Sequence, residues 1–395
     1  MLRSRSASPW AVVTASALAV GFGSSPGFVL GFLAVPLQAD LGLDRWQVGL
    51  LVGVFFGATG LGSLVAGDVA ERIGPRASVV IDQVAVAAML VVGALVPHYA
   101  VLLGSAVVGG AGYALSNTGT SIAIAATLPP HQHGVALAIR TAGVPFLVSV
   151  SAVVAAAAAE AVGWQPVLAG YAPLLLAVAV FAGAALPSGR ESPNHRDRQS
   201  PASPLPRGFG WFPLAAFALI SGTQPLFSWM VPFLHEAGEV SMSVAGALTS
   251  AGALAGVVGM IAIARVSDRT APTKRVPAVV LLCLLTVGGD LLLVAGMALG
   301  AAPMVAGLVI ATVSQLAAIS LMHAAVVAAA PNAVGRATGV TMAGYYLGAL
   351  LGPPLFGLVV DRTDTYAAAW LTCAALVLGS AGAFWRCRRV GTASR

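Results

Sequence analysis

Long apolar stretches separated by short polar connectors recur along the whole 395-residue chain. Twelve of them are about 20 residues long or longer, which is what a helix needs to cross ~30 Å of hydrocarbon. The predicted spans are 10–37, 46–66, 77–96, 100–126, 135–158, 167–186, 211–235, 244–264, 277–298, 303–328, 338–360 and 367–386. The pattern therefore predicts an all-α polytopic membrane protein with twelve transmembrane helices.

One polar stretch divides the spans into two sets of six. Residues 187–210 are rich in Pro, Ser and Arg and have no apolar period, which is typical of a flexible linker. We expect a six-helix half over 1–186, a linker over 187–210 and a second six-helix half over 211–395. The first and tenth spans contain Gly or Pro, such as Pro26 and Pro303, and such interruptions are tolerated where neighbours or a cavity satisfy the backbone.

The positive charges indicate how the chain is oriented. Of the 20 Lys and Arg residues, all except Arg45 and Arg362 fall on one side of the predicted spans. By the positive-inside rule that side is cytoplasmic, which places both termini and the linker in the cytoplasm and the protein in the cell membrane. The short basic N-terminus runs straight into a span longer than a signal-peptide core, so we expect no cleaved signal peptide.

Composition excludes several classes of function. Hydrophobic residues make up 58% and charged residues 9% of the chain, against about 25% charged in soluble domains. The basic residues lie at helix ends, which indicates orientation rather than binding of nucleic acid. No nucleotide-binding loop or catalytic arrangement is recognisable, and His131 and His133 stand apart from other metal ligands. We therefore expect no enzyme activity, cofactor, metal site or nucleic-acid partner.

The two halves resemble each other internally. Residues 134–143 open the fifth span and residues 335–344 open the eleventh, and four of the ten positions are identical. Repeated halves around a central site are the architecture of many secondary transporters.

A loop motif identifies a family. The connector between the second and third spans reads Gly67-Asp-Val-Ala-Glu71-Arg72-Ile-Gly74-Pro-Arg76, and its counterpart in the second half keeps only Asp268-Arg269. The first loop resembles the cytoplasmic signature of the major facilitator superfamily, G-x-x-x-D-R-x-G-x-R, with Glu71 in place of Asp. The resemblance implies twelve helices in two pseudo-symmetric halves and transport of a small-molecule solute by alternating access.

Physical chemistry suggests that this loop is a gate. Gly67 would let two helix ends approach closely, and the Glu71 carboxylate suits the positive end of a helix. Arg72 and Arg76 would then hold nearby carboxylates or helix C-termini. In the alternative interpretation, these are solvated charges that only obey the positive-inside rule.

Charged side chains inside the hydrocarbon mark further candidates, since each costs ~2.5–3.5 kcal/mol or more. Arg140 lies in the fifth span, where its repeat counterpart is the neutral Thr341, which favours a ligand role over extension to the interface. The run Ile139–Pro145 also resembles bacterial facilitators related to cyanate and nitroimidazole carriers. Asp290 and Asp82 are candidates for proton coupling or for packing, and Asp82 is also placed to serve the loop cluster.

The family resemblance implies that the first, fourth, seventh and tenth spans are innermost. Their polar and aromatic residues, with two tyrosines of the eleventh span, are our candidates for binding solute: Phe28, Tyr113, Asn117, Gln224, Trp229, Gln315, His323, Tyr345 and Tyr346. His323 can also handle protons near neutral pH. Hydrogen bonding between helices is the alternative role for each of them.

These observations predict a secondary active transporter of a small organic solute, with an anionic solute favoured by Arg140. We expect a monomer coupled to an ion or proton, as a symporter or antiporter. The alternative is an efflux antiporter for lipophilic compounds, although the antiporter signature G-x-x-x-G-P-x-x-G-G is incomplete in the fifth span. The sequence leaves open the substrate, the direction of transport, the coupling ion and the oligomeric state.

Overall fold

The computed structural model describes residues 8–188, 204–269, 272–388 and 390. The predictions for the extreme N-terminus and the central part of the linker lie outside these residues. Regular structure in the described ranges is α-helical, apart from short 3₁₀ turns. Eleven of these helices are long and apolar enough to cross a membrane, and a bent helix pair makes the twelfth span. The predicted all-α fold with twelve spans is confirmed.

We number the spans 1 to 12 in chain order. Spans 1 to 6 are Pro9–Phe32 continued by Ala34–Leu41, then Arg45–Ile73, Pro75–Leu95, Tyr99–Thr127, His133–Val162 and Trp164–Ala185. Spans 7 to 12 are Trp211–Thr223 continued by Pro225–Ser228 and Met230–Glu236, then Met242–Asp268, Arg275–Leu299, Ala301–Ala329, Val334–Thr363 and Tyr366–Cys387.

The breaks within spans differ from those expected. Span 1 is continuous through Pro26 and breaks at Leu33, while span 7 bends by 55° near Trp229. Span 10 is uninterrupted because Pro303 lies in its first turn, where a missing N–H breaks no helical hydrogen bond.

The two halves are built in the same way. Span 3 packs against spans 4 and 6, and span 9 packs against the equivalent spans 10 and 12. The last glycine of the sequence repeat has the same neighbour in each half. Gly143 of span 5 lies against the backbone of Ala17 in span 1, and Gly344 of span 11 lies against the backbone of Pro213 in span 7. A side chain at either position would displace the helix that it faces.

The chain folds into two compact units whose boundaries fall within spans. One comprises Met1–Val29, Val54–Ser151 and Ala158–Gln199, and the other comprises Leu30–Gly53, Ala152–Ala157 and Ser200–Arg395. The end of span 1 and the beginning of span 2 therefore belong to the unit that contains spans 7 to 12.

Candidate functional site

Arg140 is buried in the first unit and hydrogen-bonded to span 4. Only 6% of the residue is exposed. Its Nε donates to the Thr120 hydroxyl at 2.8 Å, and its Nη2 donates to the Asn117 carbonyl oxygen at 2.5 Å and to the Asn117 side-chain oxygen. The acceptors of these three bonds are neutral oxygens, and the bonds orient the guanidinium group.

Helical spacing explains how this cluster forms. Asn117 and Thr120 are three residues apart and therefore lie on one face of span 4. The Thr120 hydroxyl donates to the Ser116 carbonyl oxygen at 2.8 Å, which leaves its oxygen lone pairs to accept from Arg140. The structure thus brings together two predicted site residues, Arg140 and Asn117. The side chain of Arg140 is therefore buried and bonded to span 4.

An aromatic cluster lies on neighbouring helices of the same unit. The Phe28 and Phe56 rings are 5.1 Å apart, and the Phe55 ring stacks on Tyr113 at 5.9 Å. Tyr113 is four residues before Asn117 on span 4, so the rings and the polar cluster share one helix face. Phe28 and Tyr113 were predicted, whereas Phe55 and Phe56 were missed because phenylalanine in an apolar run is equally typical of a lipid-facing position.

Asp82 of span 3 lies between spans 1 and 4. It is fully buried, and its Oδ2 accepts from Gln83 Nε2 at 2.9 Å. A Cβ on Gly23 would lie 3.0 Å from Oδ2, and a Cβ on Gly112 would lie 2.6 Å from Oδ1. Oδ1 has no hydrogen-bond donor among the described residues. Asp82 thus contacts spans 1 and 4, and its suggested role in the loop cluster stays a prediction.

The other predicted carboxyl group is isolated in the second unit. Asp290 is fully buried in span 9, and in the described part of the chain neither of its oxygens has a hydrogen-bond partner. The amide Nε2 atoms of Gln224 and Gln315 are likewise buried without an acceptor in the described ranges.

The remaining candidates of the second unit contact protein. Trp229 is 1% exposed; its indole donates to the Pro353 carbonyl oxygen at 3.0 Å and stacks on Phe356 at 5.7 Å. His323 Nδ1 bonds the Ile319 carbonyl oxygen of its own helix at 2.7 Å. The rings of Tyr345 and Tyr346 pack edge to face at 5.4 Å.

The loop signature forms a tight turn between spans 2 and 3. Gly74 has φ +87°, a conformation that favours glycine, and Pro75 begins the next helix. Arg76 Nε donates to the carbonyl oxygen of Leu186 at the end of span 6, at 2.9 Å. A Cβ on Gly67 would meet no atom of the described residues within 4 Å, so the close approach expected there is not seen among them.

The remaining loop residues carry less structural information. Glu71 is half-buried, whereas Arg72 and Arg269 are exposed. The side chain of Asp268 lies outside what the structure describes.

An ionic network that was not predicted from the sequence lies at the helix ends opposite the loop signature. Arg45, at the start of span 2, pairs with Glu236 at 2.6 Å and lies 3.7 Å from Asp361. These residues are far apart in sequence, and each looks like an ordinary loop charge. The run Gly357-Leu-Val-Val-Asp361-Arg362 was an available indication, because it repeats the G-x-x-x-D-R core of the loop signature.

Solved structures with the same fold are membrane transporters. A D-xylose-proton symporter superposes with a TM-score of 0.80 at 13% identity, covering 95% of this chain and 97% of that chain. A bacterial homologue of the human lysosomal transporter Spinster, in an inward-facing and unoccupied conformation, gives 0.76 at 16% identity and covers 98% of both chains. The inward-open xylose transporter XylE from E. coli gives 0.76 at 15% identity and covers 96% of both.

Sequence comparison gives the family directly. No curated protein sequence matches the chain. The family profile described as Major Facilitator Superfamily matches residues 10–295, which is well over half of the chain. With its loop signature and its twelve spans in two repeated halves, the chain belongs to the Major Facilitator Superfamily and is a membrane transporter of small-molecule solutes rather than an enzyme.

Proposed function

We propose that this protein is a secondary active transporter of a small anionic or strongly dipolar organic solute, which binds at Arg140. The observation that carries the proposal is the buried guanidinium group held by Asn117 and Thr120. A charge inside the membrane is expensive, and a ligand role explains why this half has Arg140 where the other has Thr341.

The arrangement suits recognition of a carboxylate or a similar group. A planar guanidinium group can bind two oxygens at once, which gives orientation as well as affinity. The bonds from Arg140 to span 4 fix its orientation before solute arrives, so less side-chain freedom is lost on binding. Phe28 and Tyr113 would contact the apolar part of the same solute.

Asp82 is our candidate for proton coupling in this half. Its carboxyl group accepts from Gln83 Nε2 and lies against span 4 about one turn before Asn117. Binding or release of a proton there would change the charge beside the helix that holds Arg140. Asp290 and His323 are the corresponding candidates in the second half. A proton-coupled symporter shares this fold, which supports coupling without identifying the residue.

We further propose that the loop cluster of Glu71, Arg72 and Arg76, with Asp268 and Arg269, closes the cytoplasmic side. The bond from Arg76 to Leu186 lies within the first half, so it anchors the loop to span 6. The protein would act as a monomer in the cell membrane with both termini in the cytoplasm, and the halves 1–186 and 211–395 would rock about the linker.

Replacing Arg140 by lysine tests the substrate proposal. Lysine keeps the charge but cannot bind a carboxylate bidentately or keep both bonds to span 4, so we expect affinity for an anionic solute to fall by about tenfold or more. The measurement is thermal stabilisation of purified protein by a panel of organic anions, followed by binding titration of the best ligand.

Thr341→Ala is the matched control. Thr341 occupies the repeat-equivalent position, and its hydroxyl bonds only the Ala337 carbonyl oxygen of its own helix in the contacts described. Its removal should leave binding nearly unchanged. If Arg140→Lys bound the anion as tightly as the parent protein, Arg140 would be excluded from the site.

The second candidate function is efflux of lipophilic compounds. The cluster of Phe28, Phe55, Phe56 and Tyr113 favours it, because stacked rings provide a large apolar surface. In this case a neutral aromatic ligand should bind equally well to the parent protein and to Arg140→Lys, while Tyr113→Ala should weaken it.

A further inference from the structure

We propose that Asp361 closes an outer gate of the transporter. Its carboxylate caps the start of span 2. Together with Arg45, Glu236 and Tyr366, it holds the outer ends of spans 2, 7, 11 and 12 together until transport requires them to separate. "Outer" means the side opposite the basic connectors. The inference rests on alternating access in the proposed function, but not on the identity of the solute or on Arg140.

The capping contacts are specific. Span 2 begins at Arg45. The Arg45 backbone N–H donates to Asp361 Oδ1 at 3.2 Å, and the Trp46 N–H donates to Oδ2 at 2.9 Å. The first amides of a helix have no partner within the helix and carry its positive partial charge. A carboxylate from span 11 therefore binds the end of span 2 through both charge and hydrogen bonds.

Arg45 extends this contact to two more spans. Its Nη2 donates to Glu236 Oε2, at the end of span 7, at 2.6 Å. The Tyr366 hydroxyl at the start of span 12 donates to the same oxygen at 3.1 Å, and the Arg45 guanidinium group lies 5.8 Å from the centre of the Tyr366 ring. Four helix ends thus meet at one connected network.

Small residues allow the helices to approach this closely. Gly357 lies directly against the backbone of Arg45, and Gly53 lies against the carbonyl oxygen of Leu350. Pro354, four residues after Leu350, has no N–H to bond that oxygen within the helix. Gly49 faces the Pro353 carbonyl oxygen in the same way. Spans 2 and 11 therefore meet along a seam where any larger side chain would separate them.

The sequence supports the same assignment. Gly357, Asp361 and Arg362 have the spacing of Gly67, Glu71 and Arg72 in the loop signature. Each set ends a helix, one on either side of the membrane. In the second set, Gly357 provides close packing against span 2 and Asp361, four positions later, provides the helix cap.

The network is suited to opening as well as closing. The side chains of Arg45, Glu236 and Asp361 are 30%, 27% and 18% exposed to solvent, respectively. A cavity of about 270 Å³ lies beside them, lined by Arg45, Glu236, Asp364 and Tyr366 among others. Ion pairs that water can reach are weak and exchange easily. The contacts can therefore break within each transport cycle.

Cysteine accessibility tests the gate without any solute. Ser228 is fully buried on span 7 two turns below Glu236, and Ser228→Cys is a conservative reporter. In the full chain, with the three native cysteines replaced by alanine, an impermeant maleimide is added from outside to intact cells. Asp361→Asn removes the charge and one acceptor, so we expect labelling to accelerate by about fivefold or more.

Arg362→Gln is the matched control, because it removes an exposed charge from the same turn, and labelling should stay at the parent rate. Unchanged labelling in Asp361→Asn would overturn the gate, as would equal acceleration in both variants. If Asp361→Asn does not reach the membrane, Glu236→Gln is tested in its place in the Ser228→Cys protein without native cysteines. Unchanged labelling of that variant would then overturn the gate. Anion binding at Arg140 is measured separately, so failure of one proposal leaves the other intact.

Discussion

At the scale of single residues, two glycines make room for the carboxyl group of Asp82. Gly23 and Gly112 face its two oxygens from spans 1 and 4, and a methyl group on Gly112 would lie 2.6 Å from Oδ1. An alanine there must displace either the carboxyl group or span 4. The position therefore couples the packing of span 4 to the environment of Asp82.

Gly112→Ala should destabilise the protein and impair transport. Overpacking of a tight site costs ~1–3 kcal/mol, and the displaced group here is a buried carboxyl group. Gly104→Ala on the same helix is the control, because its Cβ would meet no atom of the described residues within 4 Å and alanine favours the helix by ~0.5–1 kcal/mol. Thermal unfolding in detergent compares the two. Equal unfolding midpoints for the two variants would contradict this prediction, because they would show that span 4 shifts to accommodate the methyl group.

Single residues also show how far the sequence predicts the site. Arg140 was identifiable because a charge in an apolar run has few explanations. Its neighbour Asn117 was identifiable because the family resemblance implies that span 4 is innermost. Arg45 and Asp361 were not, because 316 residues separate them and pairing over that distance depends on how the helices pack. The direction of Asp82, toward span 1 rather than the loop, depends on packing in the same way.

At the scale of helices, hydropathy fixes where a span lies but not where it bends. A membrane requires about 20 apolar residues per span, so the number and approximate limits of the spans follow from the sequence. A bend depends on whether the freed backbone groups find other partners. Pro26 leaves span 1 continuous, whereas span 7 is bent near Trp229, whose indole donates to span 11. Such tertiary contacts cannot be read from composition.

The sequence repeat makes a prediction at this scale. Gly143 and Gly344 are equivalent, and each faces the backbone of a neighbouring helix. Gly134 and Gly335 are also equivalent, and a Cβ at either would meet no described atom within 4 Å. Alanine should lower the unfolding temperature at Gly143 and at Gly344, through ~1–3 kcal/mol of overpacking, and be neutral or stabilising at Gly134 and Gly335. The measurement is thermal unfolding of the four purified variants.

The matched pairs make this a test of pseudo-symmetry as well as of packing. Both tight positions should respond in the same direction, because each closes a contact between the first and fifth helices of its half. A large effect at Gly143 with none at Gly344 would contradict equivalent packing in the two halves.

At the scale of the whole molecule, topology is the property that the sequence predicts most directly. Orientation depends on where Lys and Arg flank the spans, which is visible without any structure. The hydrogen bond from Arg76 to the Leu186 carbonyl oxygen brings the turn at Gly74 and the end of span 6 together. Arg45 and Arg362 lie at the other ends of their spans, and Arg45 is bound there by carboxylates.

Cysteine labelling should therefore place the linker and the end of span 11 on opposite sides of the membrane. In a variant without native cysteines, Thr363→Cys should react with an impermeant maleimide added to intact cells, because Thr363 is exposed at the end of span 11. Ser192→Cys, in the predicted linker, should react only after the cells are permeabilised. Labelling of Ser192→Cys in intact cells would contradict the cytoplasmic linker, and with it the assignment of Asp361 to the outer side.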